Sequence, residues 1–525
     1  MADWYNKERV SQPGATVLNR WLATESPSAK KAQRAAVSSG FSKRSFSAGL
    51  GSRTTGNWQA INSSIDQDLR GSLDMLRARS RQQTQNNPYA AKFLKMVANN
   101  VVGAQGFDFQ ANVTDPSGRA DDLANDAIER AFADWSMMGV CDVTGKLGFA
   151  DACRLIMRTV ACDGEALVRI VRGAGVNKFG YALQLLDIDR LLVSQNGRAP
   201  NGNLVRMGVE IDDFGRPVAY WLRKSHPGEA LGSGVLTTQE RVPAEDCFHL
   251  FMPLRPEQRR GAPWMAPALE SMYHLGEFDQ SALLAARKGA DTLGFFVSPD
   301  GNAPPIGDGV DAQGNAIEIS IPGSYDTLPE GYDFRPNNST YPSDVYERFA
   351  KACLRRIASG LGVAFHALGN DLTEVNFSSI RAGTLEERDG WMEIQAWFIE
   401  AFVTPIYLDW LQMSLGFGAI TMPNGSALPA VKYDKFKRHT FQGRRWNWVD
   451  PRADMEAAIA AVNNGFKSRT QICAEQGLDR DTVWRQLANE EADLKRMGIK
   501  LSPPTGYMPP PLDPANDPNQ SKNKG

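Results

Sequence analysis

Apolar residues recur at helical spacing over much of the chain before residue 160. Between Ile61 and Val102, Leu69, Leu73 and Leu76 share one face, Asn87-Pro88 interrupts the run, and Ala90 to Val101 resumes it. Two further amphipathic helices are predicted over 121–135 and 149–160. The period then falls to two. Ala166 to Val171, Ala182 to Leu186, Val205 to Ile211 and Val218 to Leu222 read as strands, with turns at Gly173, Asn196 to Asn203 and Asp213 to Gly215. Glu245 to Phe251 reads as one more strand, ahead of a basic, proline-bearing loop from Arg255 to Gly261.

Pro267 opens a long helix to about Lys288, proline being tolerated in a first helical turn. Asp291 to Tyr341 breaks the pattern: it is dense in Gly, Pro, Asn and Asp, with short strand candidates at 294–298, 316–321 and 331–335. Pro342-Ser343-Asp344 starts a helix that runs to Gly360. An irregular stretch, Gly362 to Asn376, precedes a long helical pattern from Ser378 to about Met413. Pro405 lies inside that pattern, removes one backbone hydrogen bond, and predicts a kink near 401–405. Two or three helices follow over 450–465 and 468–497. The whole reads as a multi-domain α+β chain without internal repeats.

Length and composition narrow the class. At 525 residues, with 42% hydrophobic content, the chain is long enough for several folded units, and disorder throughout is excluded. A net charge of -2 speaks against a protein that coats nucleic acid. Six cysteines without a CxxC pair indicate a reducing compartment and no structural zinc site. Met1 to Val10 is charged and no apolar core follows, so no signal peptide is expected, and no stretch reads as membrane-spanning. The first sixty residues carry nine Lys/Arg against three Asp/Glu, a local +6 that suits an extension draped over a neighbour or a direct DNA contact. Seven prolines fall in the last 25 residues, which read as a disordered tail.

Enzymatic signatures are absent. There is no Walker A motif to cradle phosphates and no GxSxG elbow. The five histidines are scattered singly and read as packed or surface residues rather than metal ligands. Asp163-Gly-Glu165 places two carboxylates ahead of a strand. A turn with solvated charges is the preferred reading; the alternative is a metal-dependent DNA nuclease using both, and a distant carboxylate, with magnesium. Cys153 and Cys162, on a predicted helix and the loop after it, read as buried thiols. No catalytic residue, cofactor or metal is assigned. On the helix after Pro342, Val345, Phe349, Ala352, Cys353 and Ile357 share one side, while Arg348, Lys351 and Arg355 form a basic stripe on the other.

Immediately downstream, the run from Gly362 to Gly383, GVAFHALGNDLTEVNFSSIRAG, resembles the signature segment of the lambda-type portal proteins of tailed bacteriophages. Three other stretches agree in order: Arg79-Ser-Arg81 to Ala90 continuing into Asn100 to Gly103, the strand entry Asp163-Gly-Glu-Ala-Leu-Val168, and Phe466-Lys-Ser-Arg-Thr-Gln471 to Gln476-Gly477. The resemblance covers roughly 60–500 and leaves the basic arm (1–60) and the tail (501–525) outside. It implies a wing over 61–265, a first stem helix over 266–290, a clip over 291–341 and a second stem helix over 342–362. A tunnel loop over 363–378, a long kinked helix with more of the wing over 379–465, and a crown over 466–500 complete the layout. It further implies a ring, usually of twelve copies, at one capsid vertex of the virion, with partners in the terminase large subunit, a head-tail adaptor, the major capsid protein and double-stranded DNA bound without sequence specificity.

On that layout Arg348, Lys351 and Arg355 would line the DNA channel. Leu368, Gly369, Asn370, Asp371, Leu372, Val375, Asn376 and Phe377 would form its constriction, with Asn376 or Ser378 capping the next helix. Tyr325, Tyr332 and Phe334 would anchor partners at the clip.

Overall fold

The computed structural model describes residues 61–228, 239–291, 294–297, 299, 309–310, 316–317, 333–336, 344–373, 376–446, 450–478 and 480–499. The arm, the tail, Tyr325, Tyr332 and Val375 lie outside the described residues.

The first helices are set by their caps. Ser64 accepts the Gln67 amide at 3.3 Å to start α1 (Ile65–Asn86), with Asp66 and Asp68 in the first turn where the helix dipole favours acids. Asn87 ends α1 and caps α2 (Pro88–Val97), accepting the Tyr89 amide at 3.0 Å, with Pro88 at the position that needs no donor. The helix then widens into a π-type turn, Ala98–Val102. After strand β1 (Asp108–Ala111) come helices α3 (Asp122–Trp135) and α4 (Phe149–Asp163). Cys153 and Cys162 are both buried on α4, so Cys162 belongs to the helix rather than the loop after it.

Strands β2 (Ala166–Arg172), β3 (Tyr181–Leu186), β4 (Gly197–Arg198), β5 (Leu204–Arg206), β6 (Val209–Ile211), β7 (Pro217–Arg223), β8 (Gln239–Pro243) and β9 (Cys247–Leu250) form two antiparallel sheets, ordered β3-β2-β9 and β4-β5-β6-β7-β8. The run Val205 to Ile211, expected as one strand, is instead two. Met207 (φ 47°) and Gly208 (φ 85°) turn the chain between them, and Arg206 pairs with Val209. Met207 holds this uncommon backbone because its side chain is buried beside Leu69 and Leu73, and its carbonyl accepts from Arg260 at 2.6 Å.

Helix α5 (Leu269–Asp291) leads to two short antiparallel pairs. These join β10 (Gly294–Val297) to β13 (Asp333–Pro336), and β11 (Gly309–Val310) to β12 (Ala316–Ile317). Helix α6 (Asp344–Leu361) returns, followed by the short α7 (Phe365–Gly369) and the long α8 (Phe377–Phe398). A second π-type turn, Ile399–Val403, precedes α9 (Thr404–Gly416). The Thr404 amide bonds back to the Ile399 carbonyl, so the ladder widens just before Pro405, where an amide is missing. The short α10 (Tyr433–Phe436) and strand β14 (His439–Gln442) come next. Helices α11 (Pro451–Asn463), α12 (Arg469–Glu475) and α13 (Arg480–Met497) close the described chain.

The main core is aromatic. Strand β1 pairs with β14, Asp108 opposite Gln442, and this sets Phe109 against Phe441 with ring centroids 5.1 Å apart. Around them pack Phe132, Trp135, Tyr407 and Trp410, all buried, on α3 and α9. Rings 5–6 Å apart at tilted or edge-on angles gain beyond the area they bury. The meander has its own small core of Ile188, Leu191, Val209, Ile211, Tyr220, Leu222 and Val242.

Candidate functional site

Helices α5 and α6 pack as a pair. At their inner ends Met272, Leu275, Leu354, Ile357 and Leu361 join the main core. Further out, Phe278 stacks on Tyr346 at 5.8 Å and meets Phe349 edge-on at 5.2 Å, while the Tyr346 hydroxyl donates to Asp279 at 2.9 Å. The pair also leaves apolar side chains outside: Leu283 is 72% exposed and Val345 70%, with Tyr273, Leu284 and Phe349 about half exposed. The apolar side of α6 is therefore core at Ile357 and open at Val345.

The basic stripe holds three different situations. Arg348 is exposed and forms no ion pair with a described residue. Lys351 is tied down, 2.9 Å from Glu347 and 3.1 Å from Asp371, and these carboxylates raise its pKa. Arg355 lies over the Phe365 ring at 5.2 Å. Only Arg348 stands clear of the segment that follows α6.

That segment is organised by Asp371. Its carboxylate accepts from the Thr373 hydroxyl and amide (2.5 and 3.0 Å) and faces Lys351, which together hold its pKa down at about 2. Asn370 ends α7 in the left-handed region (φ 54°), as asparagine tolerates, and its side chain accepts from Lys92. Leu372 is 61% exposed. Leu368 departs from the expectation: it is 1% exposed and packs in the main core, so it anchors the segment and presents nothing to a lumen. Asn376 immediately precedes α8, its carbonyl accepting the Ile380 amide at 3.0 Å, and Ser378 and Phe377 lie within the helix. On β13, Phe334 is 40% exposed.

Asp163 and Glu165 overturn the solvated-turn reading. Glu165 is fully buried. Arg77 reaches it at 2.5 Å, Arg260 at 2.8 Å, His249 Nε2 at 2.6 Å, and the Gly261 amide at 2.8 Å. Burial alone would push this carboxyl up; Arg260, Arg77 and His249 outweigh it and hold it well below the usual range. Arg81 grips Asp163 with two bonds of 2.8 Å and Asp189 at 2.6 Å. The magnesium-pair alternative fails on the same geometry, since guanidinium groups already occupy these carboxylates.

The motif glycine has an equally mechanical role. Gly164 sits at φ +90° against the backbone of Ala262, where a Cβ would come within 2.2 Å of the carbonyl carbon. Gly261 packs on the Gly164 carbonyl just as closely. Asp187, Asp189 and His226 form a ligand-like group among the described residues, but Arg77 and Arg81 already bond Asp189, and Arg81 bonds Asp187.

Comparison with known proteins adds the family. Residues 51–395 match the family described as phage portal protein, lambda family. A probable portal protein of Halomonas phage phiHAP-1 is 34% identical over 461 residues, covering 87% of this chain and 88% of that protein. Portal protein B of Escherichia phage lambda is 22% identical over 487 residues, covering 85% and 88%. Among solved structures, a chain from the neck of an empty GTA particle, computed with C6 symmetry, superposes with a TM-score of 0.41 at 15% identity, covering 81% of this chain and 97% of that one.

Proposed function

The chain belongs to the lambda family of phage portal proteins, and from that premise we propose that it forms a ring, of twelve copies, at one capsid vertex of the virion. In this reading the ring is the channel for double-stranded DNA during packaging and ejection. It is also the platform on which the terminase large subunit and later a head-tail adaptor dock, within a shell of major capsid protein. The family is a structural one, and no residue is given a catalytic role.

The observation that carries the ring is the α5–α6 pair. A lone subunit leaves Leu283, Leu284, Tyr273, Val345 and Phe349 in water. Copies related by rotation, head to tail, would cover such faces all round and close without leftover ends. Among the described residues no helix is long and apolar enough to cross a membrane, so these faces are not a membrane span.

The pair would be the stem, with the wing over 61–265, the clip over 291–341 and the crown over 466–500. Arg348 would face DNA most directly. Leu372 and Asn370 would stand at the constriction, with Leu368 holding them from behind. Phe334, with Tyr325 and Tyr332, would anchor partners at the clip.

The deciding experiment is the mass of the purified full-length assembly. A mass of about a dozen subunits is expected under ring closure; a stable monomer or dimer sinks the reading. Cysteine placed at Asn370 tests the constriction: crosslinks to packaged DNA support it, and labelling only from outside an intact particle refutes it.

A further inference from the structure

Two arginines meet over one tryptophan where α8 nears the segment after β14, and a third is its chain neighbour. Arg388 and Arg444 lie over the Trp446 ring at 5.7 and 5.8 Å from its centroid. Trp446 is fixed by its indole N–H, which donates to Asn100 Oδ1 at 3.2 Å, and that same oxygen accepts from Arg444 at 3.2 Å. The stem of Arg444 lies against Gly103, where a Cβ would sit 3.1 Å from Arg444 Cδ. Arg445 packs alongside, with Gly477 against its Cβ and its guanidinium 3.4 Å from the Met392 sulfur.

What the cluster lacks, among the described residues, is a carboxylate in contact with it. No described carboxylate pairs with Arg388, Arg444 or Arg445. Arg381, two turns earlier on α8, shows the contrast, held by Asp454 at 2.7 Å and Asp450 at 3.9 Å. The next residues after Trp446, Asn447 to Val449, include no acid. All three arginines are half-buried, and the Nε atoms of Arg388 and Arg445 have no hydrogen-bond partner among the described residues. Burial lowers the pKa of both Arg388 and Arg444; at Arg388 the neighbouring Arg444 adds to the effect, and Asp454, already bonded to Arg381, offsets it only in part. Like charges brought together partly out of water, with no carboxylate in contact, are unfavourable until an anion arrives.

We propose that Arg388, Arg444 and Arg445 bind the phosphates of a polynucleotide backbone, at a site separate from the basic stripe of α6. Planar guanidinium groups present paired N–H donors that match phosphate oxygens. Two of them already occupy the Trp446 ring, so base stacking is not offered and contact is with backbone, independent of sequence. The proposal rests on the portal reading only for the source of the phosphate, the packaged DNA.

The test uses full-length protein and a short fluorescein-labelled duplex of random sequence, read by anisotropy across a salt series, with assembly mass measured on the same samples. R388Q/R444Q/R445Q is expected to bind about tenfold or more weakly and to flatten the slope of log affinity against log salt by about 2–3, since each lost phosphate contact removes about 0.9. R388K/R444K/R445K should recover the slope but only part of the affinity. Unchanged affinity and slope in the Gln variant overturn the proposal. Loss of assembly in that variant overturns it too, by showing that the arginines meet carboxylates of a second copy. Should the Gln variant not fold, full affinity in the Lys variant is enough to reject the phosphate fork. A wild-type ring with an indifferent cluster defeats this site alone, whereas a monomeric wild type defeats the ring and leaves the site standing.

Discussion

Two charged regions of this subunit use the same residue types to opposite ends. At the joint of α1, α4 and β9, Glu165 is sealed from solvent and surrounded by Arg77, Arg260, His249 and the Gly261 amide. On α6 and the segment after it, Lys351 and Asp371 pair near the surface, and Arg348 points into water. Charges consumed inside the subunit fix the angle between elements. Charges left outside are available to whatever passes or binds. The removal of a buried partner strands its mate, whereas removal of an exposed one is absorbed by water.

The sharpest way to break this contrast is Arg260→Leu. It leaves Glu165 one cation short in a dry site, and a loss of about 3–5 kcal/mol in urea-unfolding stability is expected. A loss no greater than that of a surface substitution would show the cage to be solvated after all. Gly164→Ala should come next: the new methyl meets Ala262 and the backbone angle is unsuited to a side chain, for a loss of about 1–3 kcal/mol from strain. If the variant melts with the wild type, the close approach is not held in solution.

A smaller effect concerns pH. Burial holds His249 below its ordinary pKa, against the pull of Glu165 beside it. The folded protein takes up this proton at lower pH than the unfolded chain, which does so near about 6.5, so its contribution is full above that value and fades as pH falls through it. Unfolding midpoints of the wild type should therefore drop between about pH 7 and 5, and His249→Gln should flatten that slope; an equally steep slope in the variant would assign it to other groups. Smallest of all in stability is R348Q/K351Q/R355Q. Its melting curve and assembly mass should match the wild type while the DNA retained per particle falls. Collapse of the assembly would instead make the stripe a contact between copies.

Some of this was legible from local chemistry. Asn87-Pro88 interrupts the helical run because one residue caps and the other can only begin a helix, and Pro405 must disturb a ladder that needs its amide. The period-two runs reveal the sheet strands they contain. Other features depend on partners that sequence proximity does not supply. Asp163 and Glu165 read as a solvated turn because Arg77 and Arg81, four apart on one face of α1, and Arg260 in a distant loop are what neutralise them. Gly208 suits a turn but Met207 does not, and the Met207 conformation is held by burial and by Arg260. Leu368 sits in a stretch of mixed polarity, and only the packing of α7 shows that it points inward. The arginines around Trp446 come from α8 and the segment after β14, so neither region alone shows the cluster.

The pairing of β1 with β14 also bears on how the subunit is made. Phe109 and Phe132 emerge from the ribosome long before Tyr407, Trp410 and Phe441, the rings that cover them. At about 5–20 residues per second the wait is on the order of 20–60 s. Throughout that time the early half of the aromatic core is a sticky surface on an unfinished chain. Translation that stops before His439 leaves it permanently so, a nascent fragment fit for chaperones or aggregation and unable to close its own fold.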